Sequence, residues 1–307
     1  MKASVIACLA AAVSALPSPQ PSEHTVKRQA NPEAAAGLTD LDILNFALTL
    51  EWLEATFYQQ GIAQLGVEAF TAIGLTEDQV NQLAEVGQTE FDHASFLQGA
   101  IAQAGAMPVQ PCEYEFPFTD ATSMIQLAAI LENVGVSAYL GAAQLVADPT
   151  ILTAAGSILT VEARHQTLSR TLQALVPVPQ PFDAPLTPRM AASLAIPFIT
   201  SCPEGSNLAI EPFATLTQVQ PEAGVAVAVE STMMFESEAL GDATHCAFLS
   251  GGIPGGAVFA ELDEAGACTV PQNVAGISYV ALVNDAPLSG MVAEESIMAG
   301  PVAIIVT

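Results

Sequence analysis

Two short units, each occurring twice, constrain this chain more than its overall composition does. Glu90-x-x-His93 and Glu162-x-x-His165 share one spacing, and each follows a second repeated unit, Glu51-x6-Tyr58 before the first and Glu132-x6-Tyr139 before the second. Residues three apart on a helix point the same way, so each Glu–His pair can offer a carboxylate and an imidazole to a common point. Two such helices, with one glutamate from each of two others, make the donor set of a two-metal site inside a four-helix bundle.

The helices themselves are legible. The first is expected from Thr39 or Asp40 to about Gln64, and Thr76-x-x-Gln79 reads as the capping box of a second that runs to about Gln103. A Pro- and aromatic-rich connection, Gly105 to Phe118, is long enough to cross the length of a bundle. The third helix is expected from Thr119 or Asp120 to about Ala147. Asp148-Pro149 then caps a fourth, which lasts to about Leu175 before the prolines at 177, 179 and 181 stop it. In every helix a glutamate interrupts an otherwise apolar inward stripe, as in Leu44, Leu48, Glu51, Ala55, Tyr58. Four converging buried carboxylates would repel each other by several kcal/mol unless cations neutralise them. That cost is the physical argument for metal at Glu51, Glu90, His93, Glu132, Glu162 and His165. Glu54, one turn beyond Glu51, competes with it as the first-helix ligand.

Beyond Pro181 the texture changes. A short helical turn is expected over Arg189 to Leu194. Six β-rich runs follow, separated by Gly, Pro and Asn: Ala214–Val219, Val225–Val229, Cys246–Leu249, Ala257–Leu262, Ile277–Val283 and Val302–Val306. Their spacing suggests an antiparallel sandwich. The fold class is therefore α plus β, a four-helix bundle followed by a smaller β-rich, sandwich-like domain. The expected organisation is a signal peptide over 1–15, a propeptide over 16–28, the bundle over 38–176, a linker with a short helix over 177–204, and the β-rich domain over 205–307. The signal reading rests on Lys2, the apolar run Val5 to Val13, and Val13-Ser14-Ala15; the propeptide ends at the dibasic Lys27-Arg28.

Six Lys and Arg stand against 32 Asp and Glu, a net charge of −26, and beyond residue 28 the bases are Arg164, Arg170 and Arg189 alone. Such a surface repels nucleic acid and anionic membranes and attracts cations. No apolar run after the signal was expected to reach the length of a membrane span. Four cysteines lie beyond the signal, an even number with no Cys-x-x-Cys pair, so disulfides are expected in an oxidising compartment. Cys112–Cys202 with Cys246–Cys268 is the preferred pairing, although spacing leaves the other pairings open. A further cluster, Glu236, Glu238, Asp242 and His245, reads as a loop beside a strand, with a surface metal site as the alternative.

The four-part motif of Glu51-x6-Tyr58, Glu90-x-x-His93, Glu132-x6-Tyr139 and Glu162-x-x-His165 resembles the ferritin-like superfamily, which includes ferritins, bacterioferritins and rubrerythrins. The resemblance covers about residues 38–175. Signal, bundle, β-rich tail and the Phe182-Asp-Ala-Pro-Leu-Thr-Pro-Arg189 segment together look like the secreted fungal ferritin-like proteins described as stress-response or late-sexual-development proteins. The resemblance implies that Glu51 and Glu132 are terminal carboxylates, that Glu90 and Glu162 bridge two metals, and that His93 and His165 cap one each. Tyr58 and Tyr139, two turns from their glutamates, would either hydrogen-bond to ligands or serve as ordinary core aromatics. No Cys-rich rubredoxin segment accompanies the bundle, and an added domain on an exported chain argues against a closed iron-storing shell.

These readings imply a secreted, extracellular or cell-wall protein whose partners are metal cations. Two metal ions are expected, iron first, with manganese or zinc also suited to the donors. The implied chemistry is oxidation of ferrous iron or reaction with oxygen or peroxide, with no individual residue assigned as catalytic. The alternative is a non-catalytic cell-surface or cell-wall protein of stress or development, which keeps the bundle and binds a wall or protein partner through its β domain. The residues leave the oligomeric state open.

Overall fold

The computed structural model describes residues 37–206 and 210–307, so the expected signal and propeptide segments lie outside the described residues. The described residues form five α-helices followed by a β-rich region of antiparallel sheets, the fold class expected from sequence. The helices are α1 (Asp40–Ala72), α2 (Glu77–Gln103), α3 (Ala121–Ala142), α4 (Pro149–Leu172) and the short α5 (Pro188–Ala195). Their starts are fixed by side-chain caps. Thr39 pairs with Asp42 and Thr76 with Gln79 in reciprocal capping boxes, Asp120 accepts from Ser123 N–H, and Asp148 caps α4 ahead of Pro149. Each cap satisfies amides the helix cannot, contributing about 1 kcal/mol.

The ends depart from expectation in two places. Helical geometry in α1 breaks at Gly66, whose φ of 73° suits glycine, and a further helical segment then carries the chain to Ala72. α3 stops at Ala142, five residues early. α3 also corrects the expectation that no later segment could span a membrane. Its 22 residues are long and apolar enough by length and composition, with a mean hydropathy of 1.3, yet 78% of that window is buried within the protein. It is the innermost helix of the bundle, and its apolarity is met by packing.

The connection from α2 to α3 crosses the bundle and carries Phe116 and Phe118, whose rings pack edge-on against Phe57 of α1. Cys112 in this connection is bonded to Cys202, and the flanking strands β1 (Glu113–Tyr114) and β2 (Ile199–Ser201) pair beside the bond. Cys246 is bonded to Cys268, so both preferred pairings are present.

The remaining strands are β3 (Thr217–Gln220), β4 (Thr232–Glu236), β5 (His245–Leu249), β6 (Ala257–Glu261), β7 (Ala267–Thr269), β8 (Gly276–Val283) and β9 (Ile297–Val306). They form two antiparallel sheets, ordered β3-β4-β7 and β6-β5-β8-β9. Met233, Phe235, Phe248, Val280 and Leu282 share a buried apolar cluster between them, and the Cys246–Cys268 bond joins β5 to β7 across it. The expected strand at Val225–Val229 is absent: Val227 makes a single parallel bridge to Val306, its neighbours are irregular and the segment ends in a turn at Val229.

Residues alternate across a strand, so the larger sheet has a second face. There Ala247, Leu249, Tyr279, Ala281 and Val283 join the same apolar cluster as the bundle helices. All eight residues of β8 are buried, because this sheet is covered on both sides. One polar contact fixes the helix–sheet packing: the Tyr279 hydroxyl donates to Asn133 Oδ1 of α3 at 2.8 Å and lies 2.9 Å from Ser137 Oγ. Tyr279→Phe would leave Asn133 Oδ1 buried without that donor. We expect a loss of about 1–3 kcal/mol in the urea unfolding free energy; an unchanged midpoint would show that the contact contributes nothing net.

Candidate metal centre

The inward stripes of α1 to α4 meet at mid-bundle. α1 supplies Glu51 and Glu54, α2 supplies Glu90 and His93, α3 supplies Glu132, and α4 supplies Glu162 and His165. All six residues expected from sequence are brought together. Glu51, Glu90, Glu132 and Glu162 have no exposed surface, while His93 and His165 keep 9% and 8%.

The donor atoms crowd one another more closely than hydrogen bonding alone can satisfy. His93 Nδ1 lies 3.2 Å from Glu51 Oε2, 3.0 Å from Glu90 Oε2 and 3.1 Å from Glu162 Oε1. His165 Nδ1 lies 2.5 Å from Glu90 Oε1 and 3.5 Å from Glu132 Oε2. A single N–H cannot serve three acceptors. Glu90 Oε1, Glu132 Oε2, both oxygens of Glu162 and His165 Nδ1 have no aligned hydrogen-bond partner despite these short separations. Buried polar atoms are rarely left so. Atoms that face a shared cation, rather than each other, have this geometry. They fall into two groups, Glu51, Glu90, His93 and Glu162 in one, and Glu90, Glu132, Glu162 and His165 in the other, with donor atoms within 4.8 Å of one another. Glu90 and Glu162 belong to both.

The two tyrosines act crosswise. Tyr58 of α1 donates to Glu132 Oε1 of α3 at 2.5 Å, and Tyr139 of α3 donates to Glu51 Oε1 of α1 at 2.5 Å. Each leaves the second oxygen of its glutamate free to face the centre, the role outer hydrogen bonds play around metal ligands.

Electrostatics show what the cluster costs without cations. Burial pushes Glu51 up to about 7, against the pull of the His93 hydrogen bond. Burial, then repulsion from neighbouring carboxylates, holds Glu54 and Glu162 well above the ordinary range, and Glu132 is raised for the same reasons. Glu90 is the exception. Burial raises it too, but the hydrogen bonds and charges of His165 and His93 outweigh that and bring it down to about 2. The imidazoles answer in kind: burial opposes their charge, yet the surrounding carboxylates lift His93 to about 12 and His165 to about 9. Protons thus do the neutralising when metal is withheld, and a divalent cation would displace them.

The geometry and the charge point to one architecture, and a family model for the ferritin-like domain matches residues 39–175. Residues 39–175 are a ferritin-like domain. The chain is also similar to protein rds1 of Schizosaccharomyces pombe, 26% identical over 183 residues, which is 59% of this chain and 45% of that protein. The match thus spans less than half of that relative's length. Among solved structures it is similar to a conserved hypothetical protein, rv2844, from Mycobacterium tuberculosis, with 18% identity and a TM-score of 0.38 over 47% of this chain and 96% of that one. At that level of likeness the structure has no bearing on function.

Within the ferritin-like domain the fold buries both rival carboxylates of α1, Glu51 and Glu54. Glu51 joins a donor group and Glu54 stands beside Glu162, above Gly135 of α3. Gly135 lies three residues after Glu132, on the same inward face of α3. A Cβ there would lie 2.9 Å from Glu162 Oε2 and 2.9 Å from Glu54 Oε1, so glycine makes the room these carboxylates occupy. Gly135→Ala should therefore keep the helix, for which alanine is the better former, while displacing both carboxylates. A 10–100-fold loss of metal affinity is expected, about the size of other disturbances behind a ligand, read by competition with a chelator. Unchanged affinity would show that the carboxylates have room to spare.

Arg164, one of the three bases beyond residue 28, is exposed on α4. Glu236 ends β4, His245 starts β5 with its Nδ1 2.9 Å from the Thr244 hydroxyl, and this acidic loop is not among the metal-compatible groups of the described residues.

Proposed function

We propose that the ferritin-like domain binds two metal ions, iron first, and that the protein is an exported metalloprotein that oxidises ferrous iron or reacts with oxygen or peroxide. The observation that carries this reading is the pair of overlapping donor groups, which share Glu90 and Glu162 and in which Glu90 Oε1, Glu132 Oε2, both Glu162 oxygens and His165 Nδ1 lack aligned partners. In this reading Glu51 and Glu132 would be the terminal carboxylates, Glu90 and Glu162 would serve both ions, and His93 and His165 would hold one ion each. The donors are carboxylate and imidazole throughout, which suits iron, manganese and zinc; the four described cysteines are all bonded to one another and offer no thiolate. A bound iron or manganese pair supplies reversible one-electron change.

The chain's own residues do the rest. Tyr58 and Tyr139 fix the orientation of Glu132 and Glu51. The imidazoles keep the only exposed edges of the six donors, so cations reach the centre from the His93–His165 side, drawn by a strongly acidic surface. Export is supported by the signal-like N-terminus and by the two disulfides.

The test is elemental analysis of natively purified protein, followed by oxygen uptake on addition of ferrous iron. About two ions per chain and iron-dependent oxygen consumption are expected. Failure to take up ferrous, manganous or zinc ions would sink the reading, and tight binding without oxygen uptake would reduce it to metal capture.

A further inference from the structure

At the end of the bundle formed by the start of α1, the end of α2, the end of α3 and the start of α4 lies a cavity of about 160 Å³. Seventeen residues line it, and none carries a formal charge. Its walls are aliphatic and aromatic, including Leu50, Leu97, Ile151 and Ala155, and half-exposed Phe96 stands at its rim. Two lining side chains have a polar atom. Thr150 is exposed, and the Tyr139 hydroxyl is already engaged by Glu51. Water has almost nothing to bond to inside. The pocket opens to solvent past Phe96 and Thr150, and behind that mouth its walls match those of enclosed apolar cavities of similar volume, which bind benzene or xenon.

We infer that this cavity is a binding site for a small, uncharged, apolar molecule, no larger than a benzene ring. The interior falls short of the roughly 300 Å³ at which drug-sized pockets begin, so a larger guest would have to protrude past Phe96. The chemistry of the walls excludes ions and sugars, because a charged or hydrogen-bonding guest would lose its hydration without replacement. The inner wall is the ring of Tyr139, whose hydroxyl holds a glutamate of the metal centre. A guest in the cavity is therefore one aromatic ring away from that centre. Its binding nonetheless needs no metal, so this inference stands or falls separately from the proposed function.

Xenon is the first probe. Crystals of the full processed chain, pressurised with xenon, should show a strong anomalous peak between Leu50, Leu97, Tyr139 and Ala155. In solution, benzene at severalfold its Kd should raise Tm by about 2–4 °C through preferential binding to the folded state. Ala155→Phe should fill the cavity, abolish the xenon peak and remove the benzene shift, while metal content stays as in the parent. Should that variant fail to fold, Ala47→Phe closes the cavity from the α1 side and makes the same demand. Ordered water in the cavity, no xenon peak there, or a benzene shift that survives either filling variant would overturn the inference. Loss of metal binding in the parent protein with the xenon peak intact would overturn the proposed function and leave the cavity standing.

Discussion

Glu162→Gln should strip the centre of both metal ions while leaving the metal-free fold intact or firmer. Glu162 lies in both donor groups, so its loss is felt by each ion. Disturbing residues that only support a metal ligand already costs 10–100-fold in affinity, so removing a shared ligand should cost at least ~100-fold. The choice of residue matters. Glu162 is held well above the ordinary carboxylate range by burial and by Glu90 and Glu51, so in the metal-free protein it is the neutral acid that glutamine mimics. Glu90 is the opposite case, an anion pinned by two imidazoles, and replacing it would strand buried positive charge. Plasma mass spectrometry should find about two ions per chain in the parent, one in Glu51→Gln and none in Glu162→Gln. Equal losses in the two variants would refute the sharing of Glu162. Urea midpoints of the chelated proteins supply the control, with Glu162→Gln equal to or above the parent.

The stability of the metal-free protein should run against pH in the reverse sense to that of the metal-bound form. Glu51 sits at about 7 in the fold against an ordinary value of 4.5. A raised folded-state pKa means its contribution is fully present below 4.5 and is lost as pH climbs through 7. Glu54, Glu132 and Glu162 are displaced the same way and add to the trend. Glu90 is lowered to about 2, so its contribution is complete above 4.5 and fails only in stronger acid. The histidines, raised to about 12 and 9, contribute fully below 6.5 and lose that contribution as pH climbs from there through 9 and 12, which adds to the same trend. Between pH 4.5 and 7.5 the chelated protein should thus lose on the order of 3 kcal/mol from Glu51 alone. Metal must displace protons to bind, so the loaded protein should gain stability over the same interval. Urea melts at the two pH values, with and without zinc as a redox-silent ion, read both slopes. Glu51→Gln should flatten the chelated curve; parallel curves with and without metal would refute the protonated cluster.

Much of the centre was visible in the sequence because its geometry is local. Glu90 and His93, or Glu162 and His165, need only a helix to be aligned, and the capping residues Thr39, Thr76, Asp120 and Asp148 mark where those helices begin. What depends on the approach of distant segments was not visible. Glu54 and Glu51 lie one turn apart on α1, and only the packing of α3 shows that Gly135 clears space for the former as well. The strand at Thr232–Glu236 has two methionines at its centre and an acidic loop after it, so it lacked the β-branched pattern that marked Ile277–Val283. Val225–Val229 had that pattern and yet is not a strand, because Val227 merely borders the end of β9. The length and apolarity of α3 were underread: a helix surrounded by protein on nearly every side can be as apolar as one surrounded by lipid.

The crosswise tyrosines bear on descent. α1 with α2, and α3 with α4, each form a helical hairpin carrying the same Glu, Tyr, Glu and His in the same order. Neither hairpin is self-sufficient, since the tyrosine of each serves the glutamate of the other. Two copies of one ancestral hairpin, paired about a twofold axis, would have made both contacts by symmetry. Fusing the copies into one chain would then have preserved a reciprocal bond that already existed between them.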